Sequence, residues 1–179
     1  MLQVTEILSV LSRYEGVNRR LLSEHAKIGS EAHAQVLTHL KGHYLPPPKS
    51  KTVLNLRDRT LAWCDLMISE VIGVEVRYEI EKYGIIGHID LVCTLKGYGN
   101  RRFIIDLKYV VKVDWICWLQ MAAYKKIYMI KKGGNPGRRI LWVPKGRDKI
   151  KLLESPCSFR DDLIAFLNAK ALYQRRLIK

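Results

Sequence analysis

Hydrophobic residues recur at two different spacings along this chain, and the change between them separates predicted helices from predicted strands. Residues 2–13 have helical spacing, and a second helix is predicted within residues 23–42, with Ser30 as a candidate start and Gly42 as the stop. Pro46–Pro48 then predict an extended loop, because proline lacks the amide hydrogen that a helix needs. Residues 51–72 form the densest apolar helical pattern, which we expect to lie in the core.

Alternation typical of strands follows this helical half. Residues 73–80 alternate Val, Tyr and Ile with Glu and Arg, which predicts a half-buried strand. Residues 85–95 and 101–108 are apolar runs around the turn-forming KGYGN, which predicts a hairpin. A helix from near Asp114 to Gly133, a second hairpin and a last helix that Ser158 can cap complete the chain. This order predicts an α/β fold with a mixed sheet flanked by helices.

The bulk composition describes a globular chain. A length of 179 residues suggests one domain covering 1–179, and 48% hydrophobic with 27% charged residues exclude intrinsic disorder. No apolar run approaches the roughly 20 residues of a membrane span, and Glu6 interrupts the block that a signal peptide would carry. We therefore expect an intracellular protein with no membrane partner. The four cysteines form no C-x-x-C pair, so neither a zinc site nor a disulfide framework is predicted.

The net charge of +14 favours a polyanionic partner. It arises from 31 Lys and Arg against 17 Asp and Glu. Nucleic acid is the leading interpretation, although an anionic membrane surface or a ribosome would satisfy the charge equally.

The central hairpin brings charges together. Because side chains alternate along a strand, Asp106 and Lys108 share a face, and Asp90 can join them from the partner strand. A divalent cation is the usual agent that holds two carboxylates a few ångströms apart. The simpler alternative is a solvent-facing hairpin with ordinary charges, but apolar residues on both faces of these runs oppose it.

Two helices carry further candidates. His33 lies on the predicted second helix, and Gln120 and Tyr124 stand one turn apart on the helix after the hairpin. A histidine on a helix, taken alone, is more often a surface or core residue than a metal ligand, and this applies to His33. Gln120 and Tyr124 are equally consistent with an ordinary polar flank of their helix.

Four motifs occur in order on a helix, two strands and a helix: GSEAH (Gly29–His33), GHID (Gly87–Asp90), IIDLK (Ile104–Lys108) and QMAAY (Gln120–Tyr124). Together they resemble the PD-(D/E)XK nuclease superfamily, specifically the branch that includes the RecB nuclease domain, whose motifs are G-x-x-x-H, G-x-x-D, D-x-K and Q-x-x-x-Y. The resemblance covers about half of the chain. Tyr109 stands where many relatives have threonine. Cys157 alone occupies the C-terminal part where an iron–sulphur cluster needs three cysteines, which argues against a cluster.

The resemblance implies a restriction-endonuclease-like core and hydrolysis of DNA phosphodiester bonds with Mg²⁺ or Mn²⁺. Under it, His33, Asp90, Asp106 and the backbone carbonyl of Leu107 would be metal ligands. Asp90 and Asp106 would be catalytic together with Lys108, which would position or activate the attacking water.

The same resemblance assigns supporting roles. Gln120 and Tyr124 would orient Lys108 or bind the DNA backbone. Glu75, one strand earlier, is an additional candidate that a surface glutamate explains equally well. Further DNA contacts are expected from a set of basic and aromatic residues: Lys125, Lys126, Lys131, Lys132, Arg138, Arg139, Trp115 and Trp118.

Three functions remain open at this point. The leading one is a RecB-like exonuclease. A structure-specific endonuclease of the junction-resolvase type uses similar chemistry but usually lacks the helical histidine and Q-x-x-x-Y. A non-catalytic basic DNA-binding module would not need Asp90, Asp106 and Lys108. The chain has no G-x-x-x-x-G-K-[ST] loop, so any helicase or recombination protein that acts with it is a separate chain. The small size suits a stand-alone nuclease, including a virus-encoded one; the oligomeric state is left open.

Overall fold

The computed structural model describes residues 1–11, 19–146 and 149–178. Within them the chain forms five α-helices and an open mixed sheet of six strands, which confirms the predicted α/β class. The helices are α1 (Val4–Leu8), α2 (Arg19–Leu40), α3 (Lys51–Met67), α4 (Ile116–Lys132) and α5 (Phe159–Leu177). The strands are β1 (Leu2–Gln3), β2 (Ile68–Ile80), β3 (Ile85–Leu95), β4 (Arg102–Lys108), β5 (Gly137–Trp142) and β6 (Lys151–Leu153).

Strand β3 is the centre of the sheet. One edge of β3 pairs with antiparallel β2, and the other edge carries parallel β1 at residues 85–86 and antiparallel β4 at residues 91–94. Strand β5 runs parallel to β4, and β6 closes the sheet antiparallel to β5. Because parallel neighbours need a crossover, α4 connects β4 to β5 across one face of the sheet.

Helices cover both faces of the sheet, so both sets of alternating side chains are buried. Ile104 packs in a core with residues of α1, α4 and α5, whereas Ile105 packs in a second core with residues of α2 and α3. Both side chains are 0% exposed. This accounts for continuous apolar runs in strands that would otherwise alternate with polar residues.

Three predicted boundaries are wrong. The first helix begins at Val4, because Leu2 and Gln3 pair with β3 as strand β1. Helix α2 begins at Arg19, well before Ser30, although it stops as predicted, with Gly42 at φ +76°. Helix α3 ends at Met67 instead of continuing to residue 72, because residues 68–71 pair with the end of β3. Leu66, in the last turn of α3, was expected in the core but is 68% exposed.

The remaining elements follow the sequence closely. Gly133 ends α4 at φ +72°, and the Ser158 hydroxyl accepts a hydrogen bond from the Asp161 amide (3.1 Å) at the start of α5. The second hairpin pairs β5 with β6, and residues 147–148 of its turn lie outside the described residues, as does the predicted end of the first helix at residue 13. Across the described residues, no helix combines the length and apolar character needed to cross a bilayer.

Candidate active site

The candidate site lies where β3 and β4 separate. Their ladder ends at the pair Leu91 and Ile105, while β4 continues to Lys108 beside β5. Beyond the last pair, the Leu107 amide donates a hydrogen bond to Asp90 Oδ2 (2.9 Å). The carboxylate therefore bridges the gap between the strands and is fixed at their fork.

Helix α2 brings His33 to the same carboxylate. Its Nε2 lies 2.9 Å from Asp90 Oδ2, and Ala32 and Val36 beside it are fully buried against the sheet. Burial lowers the pKa of His33, but the hydrogen bond and the charge of Asp90 together outweigh burial and raise that pKa above its usual value. The imidazole is thus held at the fork by an acid from a distant strand.

Asp106 and Lys108 form a second charged pair on β4. Lys108 Nζ lies 2.8 Å from Asp106 Oδ2, and the aspartate is only 2% exposed. Burial raises the pKa of Asp106 to about 6, although the nearby ammonium opposes this rise. Burial also lowers the pKa of Lys108, but attraction to Asp106 reverses this effect and the net pKa is raised.

Asp106 Oδ2 depends on Lys108. The ammonium is the partner of this buried oxygen, as an ion pair at 2.8 Å. Among the described residues, no other group donates a hydrogen bond to it. A buried carboxylate oxygen without any partner is costly, so loss of the ammonium would leave it unsatisfied.

Gln120 on α4 connects the two charges of β4. Its Nε2 donates to Asp106 Oδ1 (3.2 Å) and to the Tyr124 hydroxyl (2.9 Å), while its Oε1 accepts from Lys108 Nζ (3.2 Å). Tyr124 is 4% exposed, and burial is the main cause that raises the pKa of its phenol. The tyrosine therefore acts on the cluster through Gln120 and does not face solvent.

The structure brings together the groups that the sequence singled out. His33, Asp90, Asp106, Lys108 and Gln120 form one connected cluster. Glu75 does not join this cluster. Its neighbours pair in register with β3 on either side of Asp90, but its backbone turns to φ +49° and its carboxylate pairs with Lys41 of the segment after α2.

Several of the expected DNA contacts lie in the core. Arg138 and Arg139 are 7% and 9% exposed and form ion pairs with Asp162 and Glu154. Lys125 and Trp118 are also buried, at 8% exposure each. These four are therefore not surface contacts, whereas the other four expected residues are exposed: Lys126, Lys131, Lys132 and Trp115.

Tyr109 has a position that the sequence did not reveal. Its hydroxyl donates to Thr60 Oγ1 (3.2 Å), and that hydroxyl donates to the Leu56 carbonyl (2.6 Å) within α3. Tyr109 is 5% exposed. It therefore fastens the end of β4 to α3, a contact between residues 49 positions apart that no local pattern indicates.

The side chains of His33, Asp90 and Asp106 are of types that bind divalent cations, although they are not arranged as a metal centre. The two carboxylates and the imidazole are ligand types that Mn²⁺ and Mg²⁺ accept. Within the described residues, however, no three His, Cys, Asp or Glu side chains stand ready as a metal cluster. In the arrangement seen, Asp106 is paired with Lys108 and Asp90 with His33.

Comparisons with known proteins concern the fold. No protein-family profile matches the sequence, and no curated protein is significantly similar. The chain matches the crystal structure of a protein named "Putative exonuclease" from Eubacterium rectale with a TM-score of 0.56 and 14% identity, covering 84% of this chain. It spans 66% of that protein's length, slightly under two thirds. It also matches the crystal structure of SSO0001 at a TM-score of 0.46 and 13% identity, covering 97% of this chain and 76% of the other. The chain thus shares its fold with a protein named as an exonuclease.

Proposed function

We propose that this chain is a metal-dependent DNA nuclease of the PD-(D/E)XK superfamily, in the RecB-like exonuclease branch. The observation that carries the proposal is the connected cluster of His33, Asp90, Asp106, Lys108 and Gln120 at the fork between β3 and β4. Chance resemblance of separate motifs would not require them to meet, and His33 and Asp90 do so across 57 positions of the chain. The fold shared with the Eubacterium rectale protein adds support.

Each residue of the cluster has a task in phosphodiester hydrolysis. His33, Asp90, Asp106 and the Leu107 carbonyl would hold Mg²⁺ or Mn²⁺. The bound ion supplies a water that is nucleophilic at neutral pH and offsets the charge of the phosphate. The Leu107 amide keeps Asp90 at the fork by its 2.9 Å hydrogen bond, so this carboxylate needs little reorientation.

Lys108 supplies the positive charge that the reaction requires from the protein. Its side chain is 21% exposed, in contrast to the 3% of Asp106, so Lys108 is the more accessible member of the pair and would face a phosphate oxygen or the attacking water. Gln120 orients this ammonium and Asp106 together, and the Tyr124 hydroxyl holds the Gln120 amide. We assign Gln120 and Tyr124 as positioning residues, which is one of the two roles expected for them.

The imidazole ligand leads to a metal preference. A histidine nitrogen is softer than the oxygen shell that Mg²⁺ prefers, so Mn²⁺ is expected to support cleavage at least as well as Mg²⁺. Cleavage rates measured with each ion in turn test this. Activity that is far higher with Mg²⁺ would contradict a direct role of His33 as a ligand.

The decisive experiment is DNA cleavage by the purified protein. End-labelled linear DNA, circular DNA and an RNA of the same sequence are incubated with Mn²⁺ or with EDTA. Asp106→Ala is expected to abolish cleavage, whereas Asp65→Ala, which removes an exposed carboxylate on α3, is expected to keep it.

The products distinguish the three functions. Shortening from the ends of linear DNA, with circles intact, supports the exonuclease. Nicked circles would indicate a structure-specific endonuclease instead. Bound but intact DNA would indicate a non-catalytic binding module, and cleavage that survives in Asp106→Ala would overturn the assignment of the cluster.

A further inference from the structure

The segment between β4 and α4, residues 109–115, is attached to the core through Tyr109 and Val113, while Val111 and Trp115 are exposed. Tyr109 is buried and bonded to Thr60, and the Val110 carbonyl accepts a hydrogen bond from the Trp142 indole (2.8 Å). At the other end, Asp114 Oδ1 accepts from the Ile116 amide (3.0 Å). The segment, here called the site loop, is therefore anchored at both ends.

The exposed side chains of the site loop are unusual for an anchored loop. Val111 is 79% exposed and Trp115 is 56% exposed, and Lys112 between them is also exposed. A tryptophan has one of the largest apolar surfaces of any side chain. Its exposure to water therefore gives up the favourable free energy that burial of this surface would contribute. An aromatic ring beside an ammonium is the combination with which proteins stack nucleobases and hold phosphates.

The site loop lies next to the candidate active site. It follows Lys108 directly in the chain, and Trp142, which holds the Val110 carbonyl, is the register partner of Lys108. Trp115 precedes Gln120 by five residues, which corresponds to about 7.5 Å along the helix axis and about 140° around it. The indole therefore stands at the start of α4, beside the helix face that carries Gln120 and not on it. This position suits a base next to a phosphate held at the cluster.

We propose that Trp115 is a stacking platform for an unpaired nucleobase next to the scissile phosphate, with Lys112 contacting the backbone. The proposal rests on the proposed function for its substrate. A base pair inside a duplex has both faces covered by its neighbours and cannot offer one to the indole. The substrate is accordingly a single strand or a frayed end, in preference to the interior of an intact duplex.

A second occupant for the indole is another protein surface, including a second copy of this chain. The charge of +14 on each copy disfavours self-association, whereas it favours a polyanionic strand. We therefore argue for the strand and make a protein contact an outcome of the test.

The test measures DNA binding in the absence of metal, so that cleavage of the DNA does not affect the measured affinity. Fluorescence anisotropy in EDTA compares a labelled 20-nucleotide poly(dT) strand with a blunt hairpin duplex. Trp115→Ala is expected to weaken binding of the strand roughly 5- to 150-fold, which is the range for loss of one stacked base. Binding of the duplex is expected to change much less, and Trp115→Phe should recover most of the strand affinity.

A matched control and a direct signal complete the test. Tyr98→Ala removes an aromatic of similar exposure (47%) from the β3–β4 turn, roughly 20 Å away at the far end of β4, and should leave strand binding unchanged. Quenching of tryptophan fluorescence by poly(dT) should occur in the wild type and be largely absent from Trp115→Phe.

Equal losses on strand and duplex, or no loss, would overturn the proposal. So would a wild type that sediments as a dimer and a Trp115→Ala variant that sediments as a monomer, since the indole would then be buried by a second copy. Absence of cleavage with Mn²⁺ is a separate result that overturns the proposed function, while the stacking proposal is still decided by strand binding and quenching.

Discussion

The glycine of GHID, Gly87, is predicted to be required by packing and not by backbone conformation. A Cβ atom at this position would lie 2.7 Å from Ile127 Cδ1 and 3.2 Å from Tyr124 Cδ1. Both α4 side chains are buried, at 3% and 4% exposure, so they must shift within the core to admit a Cβ atom. Helix α4 therefore packs closely on β3 at this glycine.

The cost of Gly87→Ala can be worked from these contacts. Overpacking of a core by one methyl group costs about 2 kcal/mol, because neighbours must leave their preferred rotamers. The substitution also restricts the unfolded chain, which returns about 0.7 kcal/mol. Since the closest atom is the flexible end of an isoleucine, we expect a net loss of about 1 kcal/mol in the free energy of unfolding.

Gly29, the glycine of GSEAH, is the matched control. A Cβ atom there would meet Tyr109 at 3.7 Å and 3.8 Å, which is ordinary van der Waals contact. It lies inside α2, where alanine is more favourable than glycine by about 1 kcal/mol. Gly29→Ala is therefore expected to stabilise the protein, with the two variants separated by about 2 kcal/mol.

Urea unfolding of the metal-free protein, followed by far-ultraviolet circular dichroism, measures this separation. For a slope of about 2 kcal/mol per M, the two midpoints should differ by about 1 M. A Gly87→Ala variant as stable as the wild type, or as stable as Gly29→Ala, would refute the close packing of α4 against β3.

Three further outcomes are expected. Gln120→Leu should lower the DNA cleavage rate about 10- to 100-fold, because it loses the hydrogen bonds that orient the charged pair of β4; a rate within twofold of the wild type would contradict its positioning role. In a thiol-labelling experiment at pH 8, exposed Cys157 should react first and Cys64 and Cys93 should resist until unfolding. Burial raises the pKa of both protected thiols to about 12, so fast labelling of either would contradict their placement. Arg138→Met should reduce the free energy of unfolding by about 3 to 5 kcal/mol, because the carboxylate partner stays buried without its cation; thermal unfolding at the wild-type temperature would disprove this.

The class of fold and the candidate site residues follow from local sequence patterns alone. Strands β3 and β4 are apolar on both faces, and that pattern is encoded locally in residues 85–95 and 101–108. Gly133 and Ser158 end and begin helices by local chemistry, so they too were predicted from the chain alone. Motif residues are likewise identified by type and spacing.

The change from helix to strand after Met67 depends on contacts between distant segments of the chain. The apolar spacing of residues 66–72 is compatible with either form, and pairing of this segment with β3 selects the strand. The burial of a charged side chain also depends on distant contacts. Arg138 has the sequence character of a surface cation, but its ion pair with Asp162, 24 positions later, makes its burial possible.

The candidate site depends most on tertiary contacts. Asp90 receives the Leu107 amide because β3 and β4 part at that point, and His33 reaches the same carboxylate only because α2 packs against the sheet. Local periodicity determines which face of an element a side chain occupies. It carries no information on which distant group satisfies that side chain, since such contacts are settled by the packing of the whole chain.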